Sequence, residues 1–444
     1  MSLAEGQLVE LSIEKPASGG RMIARHHGQV VLVRGAIPGE RVRALVERAE
    51  KRLAYAVTKE VVDASPDRRP APTDPLCGGA LYSHITYPSQ LAIKSDVIRD
   101  AFARVGRHPI EHAIDVAASP EAGYRMRARF HVHGGHAGFY REGTHQLCDA
   151  AATHQLQSAA LDAVATLAAA LDRDARGAVT SIAIAENIAG DERAAHLELV
   201  SPASRRDEHR IEKDVLERAA AQAGLRGLSA RDADGGMTLV GAPIVQDSLG
   251  PITRGRVSDG VLQRHAESFF QGNRYLLPEL VLAVAELVPE NGEALDLYAG
   301  VGLFSVALAA FGRLEVTAVE GDRASGEDLR ENARAQEPRV KAHLTSVESF
   351  LSKRSAGAVT VIVDPPRTGM SPDALTSLIR IGPARLVYVS CDPPTLARDA
   401  RRLLDAGYAL ASLRAFDFFP NTPHVESLAL FTRAGGLHES LEQS

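Results

Sequence analysis

The sequence predicts an α/β protein. A doubly wound, mostly parallel sheet fills its C-terminal part, preceded by a small antiparallel β-barrel and a central mixed α/β block. Three observations carry this reading. First, late in the chain strand-like runs alternate with helix-like ones: "EALDLYAG", "LEVTAVEGD", "VKAHLTS", "AVTVIVDPP" and "RLVYVSC", with segments such as "ASGEDLRENARA" and "PPTLARDARRLLDAG" between them. Second, the first 62 residues hold short period-2 runs, among them "GQLVELSIEK" and "GQVVLVRGAI", punctuated by Gly19-Gly20 and Pro38-Gly39. Third, "SPDRRPAPTDP" is a proline-rich hinge that continues neither strand nor helix. The expected blocks are residues 1–62, 63–262 and 263–435, which suits 444 residues at about 100–200 residues per domain.

The N-terminal block carries ten Lys and Arg against seven Asp and Glu, whereas the whole chain has a net charge of -6. A small basic barrel is a reasonable oligonucleotide platform, and ordinary solvated strands give the same count. Overall 45% of residues are hydrophobic and 24% charged, as in a soluble globular protein. The opening "MSLAEGQLVELSIEKP" is acidic where a signal peptide is basic, and no apolar run approaches the roughly 20 residues that span a bilayer. A cytoplasmic protein with no membrane partner is expected. Cys77, Cys148 and Cys391 are odd in number and far apart, which predicts free thiols rather than a disulfide framework.

In the central block, Arg125, Arg127 and Arg129 alternate and so share one face of a strand. Three guanidinium groups in a row suit phosphates, or keep an exposed edge strand soluble. "ALDAVATLAAALDRDA" and "EKDVLERAAAQAG" read as structural helices.

The third block carries the chemistry. Ligands of such sheets sit at the carboxyl ends of the strands. The first strand runs into "DLYAGVGLF", with Gly300 and Gly302 where backbone must approach a ligand, and the second ends at Glu320, placed to accept from ribose hydroxyls. A dinucleotide site wants a third glycine, and position 305 is Ser. The last two strands, "YALASLRAFDFF" and "HVESLALFTRA", are separated only by "PNTP" and must form an antiparallel hairpin at the sheet edge. That hairpin resembles the Rossmann-like class I fold of S-adenosylmethionine-dependent methyltransferases. "VIVDPPRTGM" resembles the Asp/Asn-Pro-Pro of amino-group methylases, which continue with an aromatic that stacks on a flipped base. Here Arg367 follows, so amine methylation is disfavoured, while Asp364 stays at the strand end facing donor and substrate.

Carbon methylation of a pyrimidine accounts for the cysteine of "VYVSCDPPTLARD". C5 is a poor nucleophile; a thiolate adding to C6 makes an enolate, and a base must later remove the C5 proton so that the thiolate can leave. Cys391 ends the fifth strand, on the ligand rim, and Glu426 starts the antiparallel last strand, whose beginning lies on that same rim. A buried structural cysteine and a surface glutamate are the ordinary readings of such residues, and the shared rim argues against both.

At these residues the chain resembles the RNA uridine-5-methyltransferases, which act on tRNA or large-subunit rRNA. "FFQGN", "LDLYAGVG", "VDPPRTG", "YVSCDPPTLARD" and "FFPNTPHVE" match the family's motifs in order, and "IPGERV…SPDR" resembles its N-terminal TRAM barrel. The resemblance implies Cys391 as nucleophile, Glu426 as proton-abstracting base, and Gln271, Tyr298, Glu320 and Asp364 as the adenosylmethionine pocket. It also implies an RNA partner, 23S rRNA or tRNA, for an enzyme expected to act as a monomer. Two departures stand out. Leu303 occupies a position where the family usually has Asn, removing one polar cofactor contact. Many members bind a [4Fe-4S] cluster through Cys-x5-Cys-Gly-Gly-Cys and a distant fourth cysteine; here Ala71 and Ala80 replace two ligands and Cys148 falls short of the fourth position, near Thr153. Two thiolates do not supply four ligands, so no Fe–S cluster is expected. Two other readings stay open: cytosine C5 methylation, which also uses a thiolate, and an RNA-binding or chaperone protein that has lost catalysis.

Overall fold

The computed structural model describes residues 3–200, 211–312, 314–355 and 360–433. The first two residues of the expected strand "AVTVIVDPP" and the last two of the third block, 434 and 435, lie outside them.

The first five strands, β1 (Leu8–Pro16), β2 (Met22–His26), β3 (Gln29–Arg34), β4 (Arg41–Ala49) and β5 (Leu53–Asp63), close into a barrel in the order β1-β2-β3-β5-β4. Period-2 alternation puts Val9, Leu11 and Ile13 of β1 and Val42, Ala44 and Val46 of β4 inside. The barrel is not wholly antiparallel, since β3 and β5 pair in parallel. Its core extends beyond the barrel, to Tyr82 and Ile85 and to Ile93 and Val97 of helix α1 (Tyr87–Arg104).

After α1 the short strand β6 (Val116–Ala117) departs for the C-terminal sheet. The central sheet contains β7 (Arg127–His133), β8 (His136–Tyr140), β9 (Leu147–Cys148), β10 (Val179–Glu186), β11 (Arg193–Leu199), β12 (Gly227–Arg231) and β13 (Met237–Gly241), in the order β13-β12-β11-β10-β7-β8-β9. Helices α2 (Ser158–Ala175) and α3 (Lys213–Gln222) cover one face through Phe130, Ile182, Ile184, Leu197 and Leu228. Strand β7 lies between β10 and β8, but β8 pairs only with His131–His133, so the stretch carrying Arg127 and Arg129 is paired on the β10 side alone and the edge-strand reading of its arginines stays open. A two-stranded ribbon, β14 (Ile244–Ser248) and β15 (Val261–His265) with the short α4 (Leu249–Ile252) between them, leads to the third block.

The sequence reading of three free thiols is corrected here. Cys77 and Cys148 form a disulfide across a sequence separation of 71. The turn around Cys77 pairs with Arg141, and Cys148 pairs with Phe139, so one hairpin brings both cysteines together, which distance along the chain did not reveal. Cys391 is the free cysteine.

The third block follows as α5 (Leu277–Leu287), β16 (Gly292–Leu297), α6 (Leu303–Ala310), β17 (Leu314–Glu320), α7 (Arg323–Arg334), β18 (Val340–Leu344), α8 (Val347–Ser352), β19 (Thr360–Val363), α9 (Pro372–Ile381), β20 (Arg385–Ser390), α10 (Pro393–Asp405), β21 (Tyr408–Phe416) and β22 (Glu426–Arg433). The sheet order is β18-β17-β16-β19-β20-β22-β21-β6, and β22 runs antiparallel to both its neighbours. The expected final hairpin forms, but β22 inserts between β20 and β21, and β6 pairs beyond β21. Both faces are covered: Leu386 and Tyr388 of β20 point into one core, Val387 and Val389 into the other, which is why this strand reads as an unbroken apolar run.

Helix α1 clamps the loop between β21 and β22. The Lys94 Nζ donates to Asp417 Oδ1 at 2.5 Å, and both side chains are inaccessible to solvent. Gln90 and Asn421 exchange two hydrogen bonds, of 2.9 and 2.8 Å. Replacing Lys94 with Met leaves the Asp417 carboxyl buried without its cation, an expected loss of about 3–5 kcal/mol. Chemical denaturation of Lys94→Met checks this, and the Lys94→Met/Asp417→Asn double variant is expected to recover part of the loss.

Candidate active site

The loop after β16 turns sharply. Tyr298, Gly300 and Gly302 all have positive φ, 61°, 57° and 92°. An added Cβ at Gly302 would lie 2.8 Å from Leu329 Cδ1, so close packing as well as φ requires glycine there. Ser305 does a different job from a third glycine: its N–H and hydroxyl both donate to Asp296 Oδ2, at 3.1 and 2.5 Å, tying the start of α6 to the buried end of β16. Burial pushes the Asp296 carboxyl up to about 7. At the end of β17, Glu320 Oε2 accepts from Gly300 N at 2.8 Å and Oε1 from Asp322 N at 2.6 Å. Leu303 is buried in the core at the first turn of α6.

Asp364 follows β19, and Gln271 Nε2 donates to its Oδ2 at 3.2 Å. Burial raises this carboxyl to about 6 against the opposing pull of the Gln271 bond. Next along the rim, β20 stops at Ser390 because Asp392 caps α10, accepting from Thr395 N at 2.9 Å, and Pro393-Pro394 open the helix. Cys391 is the single residue between strand and cap. Ser390 pairs with Ser427 in the last rung of the β20–β22 ladder; Cys391 follows the one and Glu426 precedes the other, and the Glu426 charge acts on the thiol.

Glu426 is 2% exposed, and its Oε1 has no hydrogen-bond partner. Burial raises its carboxyl well above the usual range, Asp364 raises it further, and Arg367 opposes them. The Cys391 thiol is pushed up to about 12 by burial and by the charges of Glu426 and Asp364; Arg367, which also donates a hydrogen bond to it, pulls the other way. Asp399 and its neighbours on α10 fix the loop carrying Arg367. Asp399 Oδ2 accepts from Met370 N at 3.1 Å and from the Tyr388 hydroxyl at 2.8 Å, while the Thr395 hydroxyl donates to Arg367 O at 3.1 Å.

Of the arginine row, Arg125 lies near enough to Arg367 to feel its charge. Arg125 lies over the rings of Phe139 and Phe419, at 5.5 and 5.7 Å, and donates to Gln155 Oε1 at 2.6 Å. Arg127 donates to Glu267 O at 3.1 Å and faces the exposed Phe269 ring. Burial, with the repulsion of Arg129, Arg264 and Arg125, lowers Arg127 to about 10. Among the described residues, Arg125, Arg127, Arg129 and Arg367 have no carboxylate ion-pair partner, whereas most other arginines do. Of these, Arg125 and Arg127 are partly buried, and a partly buried cation without a counter-charge is costly unless a ligand supplies one, whereas Arg129 is exposed and Arg367 faces Glu426.

The family described as a TRAM domain matches residues 3–58, and that described as tRNA (Uracil-5-)-methyltransferase matches residues 351–434. A 23S rRNA (uracil(1939)-C(5))-methyltransferase RlmD from Pseudomonas putida is 31% identical over 96% of this chain and 94% of its own. The chain belongs to the RNA uracil-5-methyltransferase family. An uncharacterized RNA methyltransferase from Streptomyces avermitilis is 34% identical over 97% of this chain and 99% of its own. The crystal structure of Pyrococcus abyssi tRNA (uracil-54, C5)-methyltransferase in complex with S-adenosyl-L-homocysteine superposes with a TM-score of 0.73 at 24% identity, covering 95% of this chain and 99% of that one, so the two share a fold.

The residues of this methyltransferase fit the family's S-adenosylmethionine. Glu320 sits at a strand end with its oxygens already oriented by backbone amides, and the Tyr298 hydroxyl is buried with no hydrogen-bond partner, an orphan that a ligand polar group can satisfy. Sequence reasoning missed two contributors. Arg367 was read only as the absence of an aromatic, although its position three residues after Asp364 places it on the same rim. Asp399 was hidden because its partners, Tyr388 and Met370, come from separate segments. Among the described residues, no group of three or more His, Cys, Asp and Glu is arranged to hold a metal ion, and no helix is long and apolar enough to cross a membrane.

Proposed function

We propose that this methyltransferase makes 5-methyluridine in structured RNA, 23S rRNA or tRNA, with Cys391 as nucleophile and Glu426 as base. The observation that supports this most is the closeness of the two residues at one rim, Cys391 directly after β20 and Glu426 opening β22, beside Asp364 and Arg367. The Cys391 thiolate adds to C6 of uracil: the Sγ–C6 bond forms and the C5=C6 electron pair moves toward C5 and O4. Gln271, Tyr298, Gly300, Gly302, Glu320 and Asp364 would hold S-adenosylmethionine, which would supply the methyl group that C5 takes up, its S–CH3 bond breaking and the neutral thioether S-adenosylhomocysteine leaving. The Glu426 carboxylate then removes the C5 proton, the C5–H electrons restore C5=C6, and the Sγ–C6 pair leaves with sulfur. Arg367 stabilises thiolate and enolate charge in a site otherwise crowded with acids. Such substrates place the enzyme's work in the cytoplasm, and one chain carries every residue the scheme needs. Incubation of purified protein with labelled donor and RNA from a strain lacking the gene, followed by nucleoside mass spectrometry, tests the reading. Label in 5-methylcytidine, or none in any nucleoside, would refute it.

The uncompensated guanidinium groups make a second expectation. If Arg125, Arg127 and Arg129 meet phosphates, RNA affinity falls steeply with salt, and each charge removed lowers the slope of log K against log salt by about 0.7–0.9. The Arg127→Gln/Arg129→Gln variant is expected to bind more weakly and with a slope shallower by about 1.5. An unchanged slope would exclude phosphate contact at this strand.

A further inference from the structure

A cleft of about 750 Å³ opens between the barrel and the hinge, and its lining shares no residue with the thiol rim. Its barrel wall includes Thr58 and Lys59 of β5; its hinge wall includes Arg69 and Ala71, with His84 beneath. Three features mark it as built to hold something. First, it contains buried polar atoms without partners: the Thr58 hydroxyl and His84 Nδ1 have none, and His84 is only 4% exposed. The other imidazole nitrogen of His84 faces Ala36 O at 3.4 Å, which assigns the proton there and leaves Nδ1 an acceptor. Burial first, then the Arg68 charge, holds this imidazole neutral, down to about 4. Second, of the barrel's ten Lys and Arg, seven have ion-pair partners, and only Lys51, Arg52 and Lys59 have none among the described residues. Lys59 is the one that lines the cleft. Third, the hinge wall is fixed. Glu142 N donates to Leu76 O and Gly78 N to Tyr140 O, at 2.8 and 3.0 Å, and Cys77 is joined to Cys148. Arg68 and Arg141, which also line the cleft, are held by Glu40 and Asp74.

We propose that this cleft binds an unpaired nucleotide of the RNA substrate at a distance from the target uridine, with its phosphate beside Lys59 and its base edge on the Thr58 hydroxyl and His84 Nδ1. The inference rests on the RNA-substrate reading above. His84 Nδ1 offers an acceptor and the Thr58 hydroxyl a donor or acceptor to polar atoms of a base in the cleft, and the unpaired Lys59 ammonium on the cleft lining suits one phosphodiester. A nucleotide here leaves the barrel and hinge gripping the RNA on one side while the rim acts on another part of it.

The test uses the full chain and a fluorescein-labelled oligouridylate, read by anisotropy, beside methyl transfer on unmodified cellular RNA. Ala71→Trp fills the cleft without touching an ion pair, and Lys59→Ala removes the exposed ammonium. Both are expected to weaken oligouridylate binding by about tenfold or less and to raise KM while leaving kcat within about twofold. His84→Leu is the third arm, with its thermal midpoint measured alongside. Oligouridylate affinity unchanged in both Ala71→Trp and Lys59→Ala would overturn the proposal, as would saturation of the cleft by free uridine monophosphate without any effect on RNA binding. Loss of methyl transfer in the unaltered protein, with the affinity differences intact, would instead count against the catalytic reading alone.

Discussion

Glu426→Gln is expected to accumulate as a covalent protein–RNA complex that survives denaturing electrophoresis, and Cys391→Ala to form no such complex. The two variants remove different halves of one reaction. Without the thiol, C5 never becomes nucleophilic, and turnover is expected to fall by about 10⁴-fold or more, as when a covalent catalyst loses its nucleophile. With an amide at position 426, addition to C6 and methyl uptake at C5 still proceed, but no carboxylate receives the C5 proton and sulfur cannot be expelled. The trapped species therefore carries methyl label. Unaltered protein is expected to trap in the same way only on 5-fluorouridine RNA, where C5 has no proton to lose. The burial of Glu426 makes the comparison clean. Its Oε1 has no partner, so Gln introduces an amide of the same shape without breaking a hydrogen bond to that oxygen. Turnover by Cys391→Ala, or an unlinked Glu426→Gln that yields normal product, would end the mechanism.

Much of this site was legible in the sequence because parallel sheets place function at strand ends, and strand ends are marked by local chemistry. The run "VYVSC" stops at a cap and two prolines, so Cys391 had to sit on the rim; "PNTP" forced an antiparallel return, so Glu426 had to start on that rim too. Both inferences need only strand direction. What the sequence hid depends on contacts between distant segments. The disulfide of Cys77 and Cys148 arises from a hairpin that brings together positions separated by 71 residues. The insertion of β22 between β20 and β21, and the addition of β6, depend on pairing choices that periodicity does not encode. Alternation of Arg125, Arg127 and Arg129 with buried neighbours was visible, but how far β8 pairs along that strand is a property of the sheet. Arg367 shows the same limit: its charge was visible, but its contact with the thiol was not.

Arg367→Met is expected to move the pH dependence of adduct formation upward and to slow the reaction by about 10- to 100-fold near neutral pH. The thiol already stands at about 12, raised by burial and by the acids Glu426 and Asp364, and Arg367 is the cation opposing them. Only the thiolate adds to C6. Below the thiol's pKa the thiolate fraction drops tenfold per pH unit, so each unit of further rise on losing the guanidinium costs tenfold in rate, or 1.36 kcal/mol. The sign is fixed: an acid whose charged form loses its cation titrates higher, so the deficit of Arg367→Met is largest at low pH and narrows as pH rises. Glu426 shifts in the same direction, because Arg367 also opposes its elevation. The base would then stay protonated to higher pH and slow elimination as well. Single-turnover trapping on 5-fluorouridine RNA isolates the first step, since elimination is blocked there. Arg367→Lys, which keeps the charge but not the planar donor, is expected to recover part of the rate with a smaller pH shift. A rate loss that is the same at every pH would show that Arg367 only holds its loop in place, a role shared with the Thr395 bond to its carbonyl, and would remove it from the chemistry of the thiol.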